Sequence, residues 1–587
     1  MCGIFGIIND EENKAAQTVL EGLKKLEYRG YDSWGIALKM KDSSEILLDK
    51  HIGKIGNATT SLPDGGRIAI GHTRWATHGG VTDANAHPHL DCTNNIAVIH
   101  NGIVENYQEL QSELRQKNHR FISETDTEVI AHLVEEENKT KPLFVATLSA
   151  FKKLIGSNAI VVLDGKTGEV VICRNGSPIV LGVTKETTYI ASDATALLDK
   201  TNMVHFMDDN EAAYINKSYI ELFSIDKEKA KKLTLQKIDW KAQAAEKGGY
   251  PHFALKEIIE QITTIPHVLQ QKNKKLREIV KLIQSGYKPV TIACGSASYC
   301  GLAAQYIFAD VGIDSANYGA YEYAPFAQLA TKKTIVFAIS QSGETADTIL
   351  AVKEAKKRGA IIVGIINAQG STLERLSDYL LPVDAGPEIA VVSTKAFTAQ
   401  LATFFALHCL IKKNDPSIFI DDFCYWLNSE MLHNTILDCA KHLLKSEHIY
   451  AIGKHINYPS ALEFALKLKE TSYLHAEAFA SGELKHGVIS LIQPGTPCIV
   501  LTAHDDIYKE VISSAIELKS RGGFIIGIGP EHNQAFDIHI KTHHSGGHLY
   551  SIFYNVVVGQ LLGYYVGVGR GADPDKPRNL AKSVTVK

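Results

Sequence analysis

Pro289-Val290-Thr291-Ile292-Ala293-Cys294-Gly295 and His448-Ile449-Tyr450-Ala451-Ile452-Gly453 each run a short apolar segment into a glycine and then into helix-like sequence. Segments of this length and composition, closed by glycine, read as strands buried on both faces. A second strand ends at Ile339-Ser340 in the first copy and at Val500-Leu501-Thr502 in the other. Third strands follow at 360–366 and 523–528. Apolar strands alternating with helices wind a parallel sheet with helices on both faces, and two copies predict two such domains in tandem. Ligands of these sheets sit at the carboxyl ends of the strands. Ser340-Gln341-Ser342-Gly343-Glu344-Thr345-Ala346-Asp347-Thr348 lies at such an end. A helix cap needs one hydroxyl, and here four cluster; hydroxyls, backbone N–H groups and a helix N-terminus together make a phosphate site.

Upstream the pattern changes. The first 235 or so residues alternate β-like runs (96–99, 159–163, 170–173, 179–183) with helical stretches at 110–116 and 126–137. A small, polar segment, Lys241 to Gly249, reads as a linker, and periodic helix is predicted from Phe253 to Ser285. Cys2 stands at the very start. With Met1 removed it would carry a thiol and a free α-amine on one residue, a nucleophile beside its own base. Asn101-Gly102 between two apolar runs reads as a hairpin turn, and also as a pair of oxyanion donors.

Composition bounds the alternatives. The chain has 587 residues, enough for three or four domains, with 45% hydrophobic and 21% charged residues and a net charge of −4. Neither that balance nor any basic block argues for nucleic acid. The nine cysteines are scattered and contain no CxxC, which suits a reducing, cytoplasmic setting. Leu549 to Gly569 carries no charge and is long enough to cross a bilayer, but its tyrosines, glycines, Asn555 and Gln560 favour a buried helix, so no membrane is expected. Five histidines lie between His72 and His100, without HExxH and with no cysteine nearby except Cys92, so no metal is expected. No cofactor is expected either.

Larger blocks carry a resemblance. Tyr28-Arg29-Gly30-Tyr31-Asp32-Ser33, Gly71-His72-Thr73-Arg74-Trp75-Ala76-Thr77-His78-Gly79, His100-Asn101-Gly102-Ile103-Val104-Glu105-Asn106 and Ser123-Glu124-Thr125-Asp126-Thr127-Glu128 resemble the N-terminal-nucleophile (Ntn) glutaminase domain of class II amidotransferases. The resemblance implies an αββα sandwich in which Cys2 attacks glutamine, Asn101 and Gly102 form the oxyanion hole, and Arg74, Thr77, His78, Gly102 and Asp126 hold the substrate. An arginine grips a carboxylate bidentately, and Asp126 suits the α-ammonium. Trp75 is implied as the gate of an ammonia route.

The Ser340 loop resembles that of sugar isomerase (SIS) domains. With Glu388 to Thr398, Leu466 to Glu477, Gly482 to Gly487 and the tail Pro577 to Val586, it is similar to the isomerizing amidotransferases that make glucosamine 6-phosphate from glutamine and fructose 6-phosphate. The resemblance implies a Schiff base at Lys582, a C1–C2 proton shuttle at Glu470, assistance from Lys467, and ring opening by His486 supplied by a neighbouring subunit, hence a homodimer. It implies sugar-phosphate contacts at Ser296, Ser340, Gln341, Ser342, Thr345, Val391, Ser393 and Ala581. Glu463, Lys467 and Glu470 at helical spacing also read as a surface salt-bridge ladder. One departure stands out: the family loop commonly reads Cys-Gly-Thr-Ser-Tyr, and Ala297 here replaces its second hydroxyl.

The fold expected is thus multidomain, α/β with α+β: the glutaminase sandwich over 1–238, a linker over 239–252, doubly wound α/β/α SIS domains over 253–430 and 431–577, and a catalytic tail over 578–587. A non-catalytic phosphosugar-binding regulator and another class II amidotransferase are the competing readings.

Overall fold

The computed structural model describes residues 2–41, 43–217, 219–238, 246–271 and 273–585, with backbone alone at 10–13. Half of the predicted linker, 239–245, lies outside the described residues.

The N-terminal part stacks two antiparallel sheets, of eight and seven strands. The strand Gly3–Asn13 pairs with Gly66–Arg74 on one side and Thr187–Ala191 on the other. Side chains alternate across a pleated strand. Ile4 and Ile8 therefore enter the core between the sheets, while Phe5 and Ile7 pack outward under the helix Ala15–Leu26. Three helices, Tyr107–Gln116, Glu128–Asn138 and Leu143–Phe151, cover the other sheet. The layers are αββα, as expected. The predicted hairpin at Asn101-Gly102 is not there: both residues end the strand Ile96–Gly102 and pair with Ala159 and Asn158. The chain leaves this strand for a helix, so the asparagine is paired into the sheet and not exposed on a turn.

The C-terminal part contains two five-stranded parallel sheets. Both have chain order 2-1-3-4-5, with Lys288–Ala293 and His448–Gly453 as the first strands. Only three strands per copy were legible in sequence. The second strands, Ala316–Gly319 and His475–Ala480, lie at sheet edges and are mostly half-buried, so they lack the apolar run that marks their neighbours. The predicted helix over 253–285 is three helices, Phe253–Ile259, Gln261–Gln270 and Lys274–Gln284. The break follows Gln271, which is extended, and Asn273 caps the third helix by accepting from the Lys275 N–H.

Among the described residues one helix, His548–Gly569, is long and apolar enough to cross a membrane, and 83% of its most apolar window is buried inside the protein. It packs along the helix Asn457–Ser472 through Gly559, Gly563 and Gly567. A Cβ on Gly567 would sit 2.4 Å from the Thr471 carbonyl oxygen, so the close approach requires glycine. This contact fixes the helix that carries Glu463, Lys467 and Glu470.

Candidate functional site

In the first site, Cys2 is half-buried just ahead of the first strand. Its sulfur accepts from the Trp75 N–H at 3.3 Å. Its carbonyl oxygen accepts from Asn101 Nδ2 at 2.9 Å. The orientation of that amide is set from behind. His72 Nε2 lies 2.9 Å from the His100 carbonyl oxygen and 3.1 Å from Asn101 Oδ1, so Nε2 carries the proton and donates to both. Burial pushes the His72 pKa down to about 3, so the ring is neutral. A neutral histidine donor thus turns the NH₂ of Asn101 toward the Cys2 carbonyl oxygen. Burial raises the Cys2 thiol, Arg74 acts to lower it and Asp126 to raise it. Gly102 has φ 146°, and a Cβ there would lie 2.1 Å from the Ser157 carbonyl oxygen.

Around Cys2 the glutamine-binding candidates gather on two loops. Arg74 is buried and donates to the carbonyls of His78, Gly79 and Gly80. Asp126 is buried and accepts from the Val104 N–H at 2.8 Å. Asn85 and Glu124 stitch the loops together: Asn85 Nδ2 donates to Glu124 Oε2 at 3.1 Å and to the Gly80 carbonyl at 3.0 Å. Thr77 is exposed and His78 half-buried, stacked edge-on against Tyr107. Trp75 is half-buried.

The second site lies where strand order reverses in the first parallel sheet, between the carboxyl ends of Lys288–Ala293 and Thr334–Ser340. This is the crevice in which such sheets bind ligands. Ser296 opens the helix after one strand, and the Ser340 loop follows the other. Ser340 Oγ is 3.0 Å from Thr345 Oγ1 and accepts from the Gly343 N–H. Ser342 Oγ is 2.8 Å from Ser583 Oγ of the tail.

The surface-ladder reading of Glu463, Lys467 and Glu470 is overturned. Glu463 and Lys467 are fully buried. Lys467 Nζ lies 2.6 Å from Glu470 and 3.3 Å from Glu463. It donates to Ser296 Oγ and to the Ser393 carbonyl, both at 3.1 Å. Ser296 in turn donates to Glu463. The two isomerase units therefore meet through this cluster. Burial pushes Glu463 up to about 7, and burial alone would lower Lys467, but its two carboxylate partners hold it protonated.

Lys582 reaches Glu388, whose side chain is fully buried. Glu388 also accepts from the N–H groups of Thr394 and Ala396. Buried beside it, Glu257 is pushed up to about 8 by burial first and by the Glu388 charge second. Glu388, Glu257 and Glu463 were not assigned roles from sequence; a buried carboxylate in an apolar neighbourhood was the available signal. Val391 N–H donates to the Asp575 carbonyl and thereby anchors the tail. Ala581 is half-buried in that tail and Gln341 lines the cleft beside it. His486 is exposed on the turn Ser481–His486 and takes no part in the Lys467 cluster.

The tail bridges the N-terminal and C-terminal parts. Tyr31 donates to the carbonyls of Pro577 and Leu580 at 2.8 and 2.9 Å, and Lys576 pairs with Glu27. A cleft is walled by Arg29 and Asp193 on the glutaminase side and by Ser342, Glu388 and Lys582 on the other. Arg174 of the glutaminase part is buried and donates to Thr372 at 2.8 Å, near Glu344.

An Ntn-type sandwich with a cysteine at its first strand, joined to paired phosphosugar-type sheets, defines a glutamine amidotransferase fused to sugar isomerase domains. A family model described as a glutamine amidotransferase domain matches residues 50–234, and one described as an SIS domain matches 281–409 and 442–545. The glutamine–fructose-6-phosphate aminotransferase [isomerizing] of Thermococcus kodakarensis is 40% identical over the full length of both chains. That of Clostridium acetobutylicum is 39% identical, again over the whole of both. The solved C-terminal domain of a glucosamine-fructose-6-phosphate aminotransferase from Francisella tularensis is 29% identical with a TM-score of 0.51, covering 56% of this chain and 99% of that one. The chain belongs to the glutamine–fructose-6-phosphate aminotransferase [isomerizing] family.

Proposed function

We propose that the protein converts L-glutamine and D-fructose 6-phosphate into L-glutamate and D-glucosamine 6-phosphate, the entry to UDP-N-acetylglucosamine. The observation that carries this reading is the shared cleft, in which Lys582 and the Ser342 loop face the glutaminase surface across one cavity. Ammonia made on one side and used on the other needs such a wall, because free ammonia in water at neutral pH is protonated and no longer nucleophilic.

In the first half, with Met1 removed, the Cys2 thiolate attacks the side-chain carbonyl of glutamine. Asn101 Nδ2 and the Gly102 amide receive the negative charge of the tetrahedral intermediate. Ammonia leaves, and water releases glutamate from the thioester. Arg74, Thr77 and His78 take the α-carboxylate and Asp126 the α-ammonium, with Trp75 as the gate for ammonia.

In the second half, His486 from a neighbouring subunit opens the sugar ring, and Lys582 holds the open ketose as an imine. Ammonia displaces Lys582 at C2. Glu470 then moves a proton from C1 to C2, with Lys467 holding its carboxylate. Ser296, Ser340, Gln341, Ser342, Thr345, Val391, Ser393 and Ala581 bind the sugar phosphate. Carbon 2 is reduced from ketone to amine level while carbon 1 is oxidised from alcohol to aldehyde, so the sum needs no external redox partner and no cofactor.

The unit boundaries proposed are those of the sequence: 1–238, 253–430, 431–577 and the tail 578–587. The exposure of His486, away from the Lys467 cluster of its own chain, supports a homodimer. The net charge of −4 and the burial of the helix His548–Gly569 support a cytoplasmic enzyme without nucleic-acid or membrane partners. The test is to incubate protein of verified N-terminal mass with both substrates and to quantify both products in one tube. Equal glutamate and glucosamine 6-phosphate are expected. Glutamate alone would refute the isomerase half, and neither product from a chain beginning at Cys2 would favour a phosphosugar-binding regulator.

A further inference from the structure

Away from both sites, four side chains of the glutaminase unit converge on one point. Cys92 follows the short strand His89–Leu90, His119 follows the helix Tyr107–Gln116, and His132 and Glu135 lie one turn apart on the helix Glu128–Asn138. Cys92 Sγ is 3.7 Å from His119 Nδ1 and 3.5 Å from His132 Nδ1. Glu135 Oε2 is 3.0 Å from the first of these nitrogens and 3.1 Å from the second. All four donor atoms lie within 4.8 Å of one another. A tetrahedral zinc ion with one sulfur and three nitrogen or oxygen ligands holds its ligand atoms about 3.3–3.6 Å apart. The observed spacings bracket that range.

The outer edges of the two rings support the same reading. His119 Nε2 faces Glu136 Oε2 at 3.1 Å, and His132 Nε2 faces Glu128 Oε1 at 3.6 Å. Metal-bound histidines characteristically donate their other N–H to a carboxylate, which fixes the tautomer and leaves the inner nitrogen a lone pair. Both rings are buried, and both have a carboxylate on each edge. The Arg120 N–H points at Cys92 Sγ from 3.4 Å, a donor placed for a thiolate.

We propose that Cys92, His119, His132 and Glu135 form a structural site for zinc or a similar divalent cation. Binding displaces the Cys92 thiol proton to solvent and leaves both histidines neutral. Glu128, behind His132, accepts from the N–H groups of Ile122 and Ser123 and from the Ser123 hydroxyl. That segment runs directly into Asp126, so the metal braces the base of the glutamine-binding loop. The residues fell outside the sequence expectation because they come from three elements, in the spacing Cys92, His119, His132, Glu135, which matches no compact motif.

The test uses the full chain, produced in zinc-supplemented medium and desalted without chelator. About one zinc per chain is expected by elemental analysis, with less than about 0.1 in the Cys92→Ser/His132→Gln double variant. Chelator-treated wild type titrated with cobalt(II) should develop a thiolate-to-cobalt charge-transfer band and tetrahedral d–d absorption. Cys2→Ala should keep that band, since its thiol is elsewhere. Zinc-free wild type, zinc equally retained by the double variant, or no charge-transfer band from wild type would each overturn the site. The cobalt titration of wild type decides the matter even if the double variant fails to fold.

Discussion

Lys467→Met tests the buried cluster most directly. Methionine keeps the length of the stem and removes the charge. Glu463 then remains fully buried with Ser296 as its hydroxyl donor, and Glu470 loses its 2.6 Å partner. Breaking a buried pair by deleting one ion costs about 3–5 kcal/mol. In a unit of this size that lowers the unfolding temperature by roughly 6–20 °C. The loss depends on pH. In the wild type burial has already raised the folded-state Glu463 to about 7 from its ordinary value of 4.5. A raised carboxyl favours folding fully below its unfolded pKa, and that contribution, about 3 kcal/mol, is lost as pH rises from near 4.5 through 7. Without Lys467 the Glu463 pKa rises further, so the variant recovers stability on acidification more than wild type does. The assay is calorimetry with hydrogen exchange on the helix Asn457–Ser472, at pH 6 and pH 8, beside glutamine hydrolysis. The expected result is an isomerase transition lowered more at pH 8 than at pH 6, with amino-sugar formation abolished and glutaminase activity retained. A transition unchanged at pH 8 would refute the argument that this cation neutralises buried carboxylates.

Other outcomes follow from the same geometry. Asn101→Ala should reduce glutaminase kcat by about 10²–10³ with little change in the Michaelis constant for glutamine, because the donor acts on charge that develops in the transition state; steady-state kinetics check it. Cys2→Ala should abolish glutamine-dependent synthesis and keep synthesis from added ammonia, measured as glucosamine 6-phosphate at matched pH. Lys582→Arg should keep the charge opposite Glu388 but lose borohydride trapping of fructose 6-phosphate, read by intact mass. Ala297→Ser should change the Michaelis constant for fructose 6-phosphate modestly; identical values for the two proteins would show that this position does not contact the sugar.

The parallel sheets were legible because doubly buried strands are written as uninterrupted apolar runs, as in Thr334–Ser340. Their edge strands were not, because an edge such as His475–Ala480 is half solvated and follows no such rule. Asn101 was readable as a residue type and misread as a turn, since local sequence cannot say that Ala159 lies across from it. The helical ladder of Glu463, Lys467 and Glu470 had the spacing of a solvated face; burial came from a neighbouring unit, which no periodicity records. Arg174 and Glu388 were missed for the same reason, as their partners lie 198 and 194 residues away.

The tail has a consequence for the birth of the molecule. Lys582 and Ser583 leave the ribosome 194 and 241 residues after their partners Glu388 and Ser342. The glutaminase fold is complete hundreds of residues earlier. A nascent chain therefore holds a folded N-terminal part without its partner surface until residues 577–583 have been made and the clasp around Tyr31 closes. A label for this protein therefore belongs on a surface loop away from that clasp.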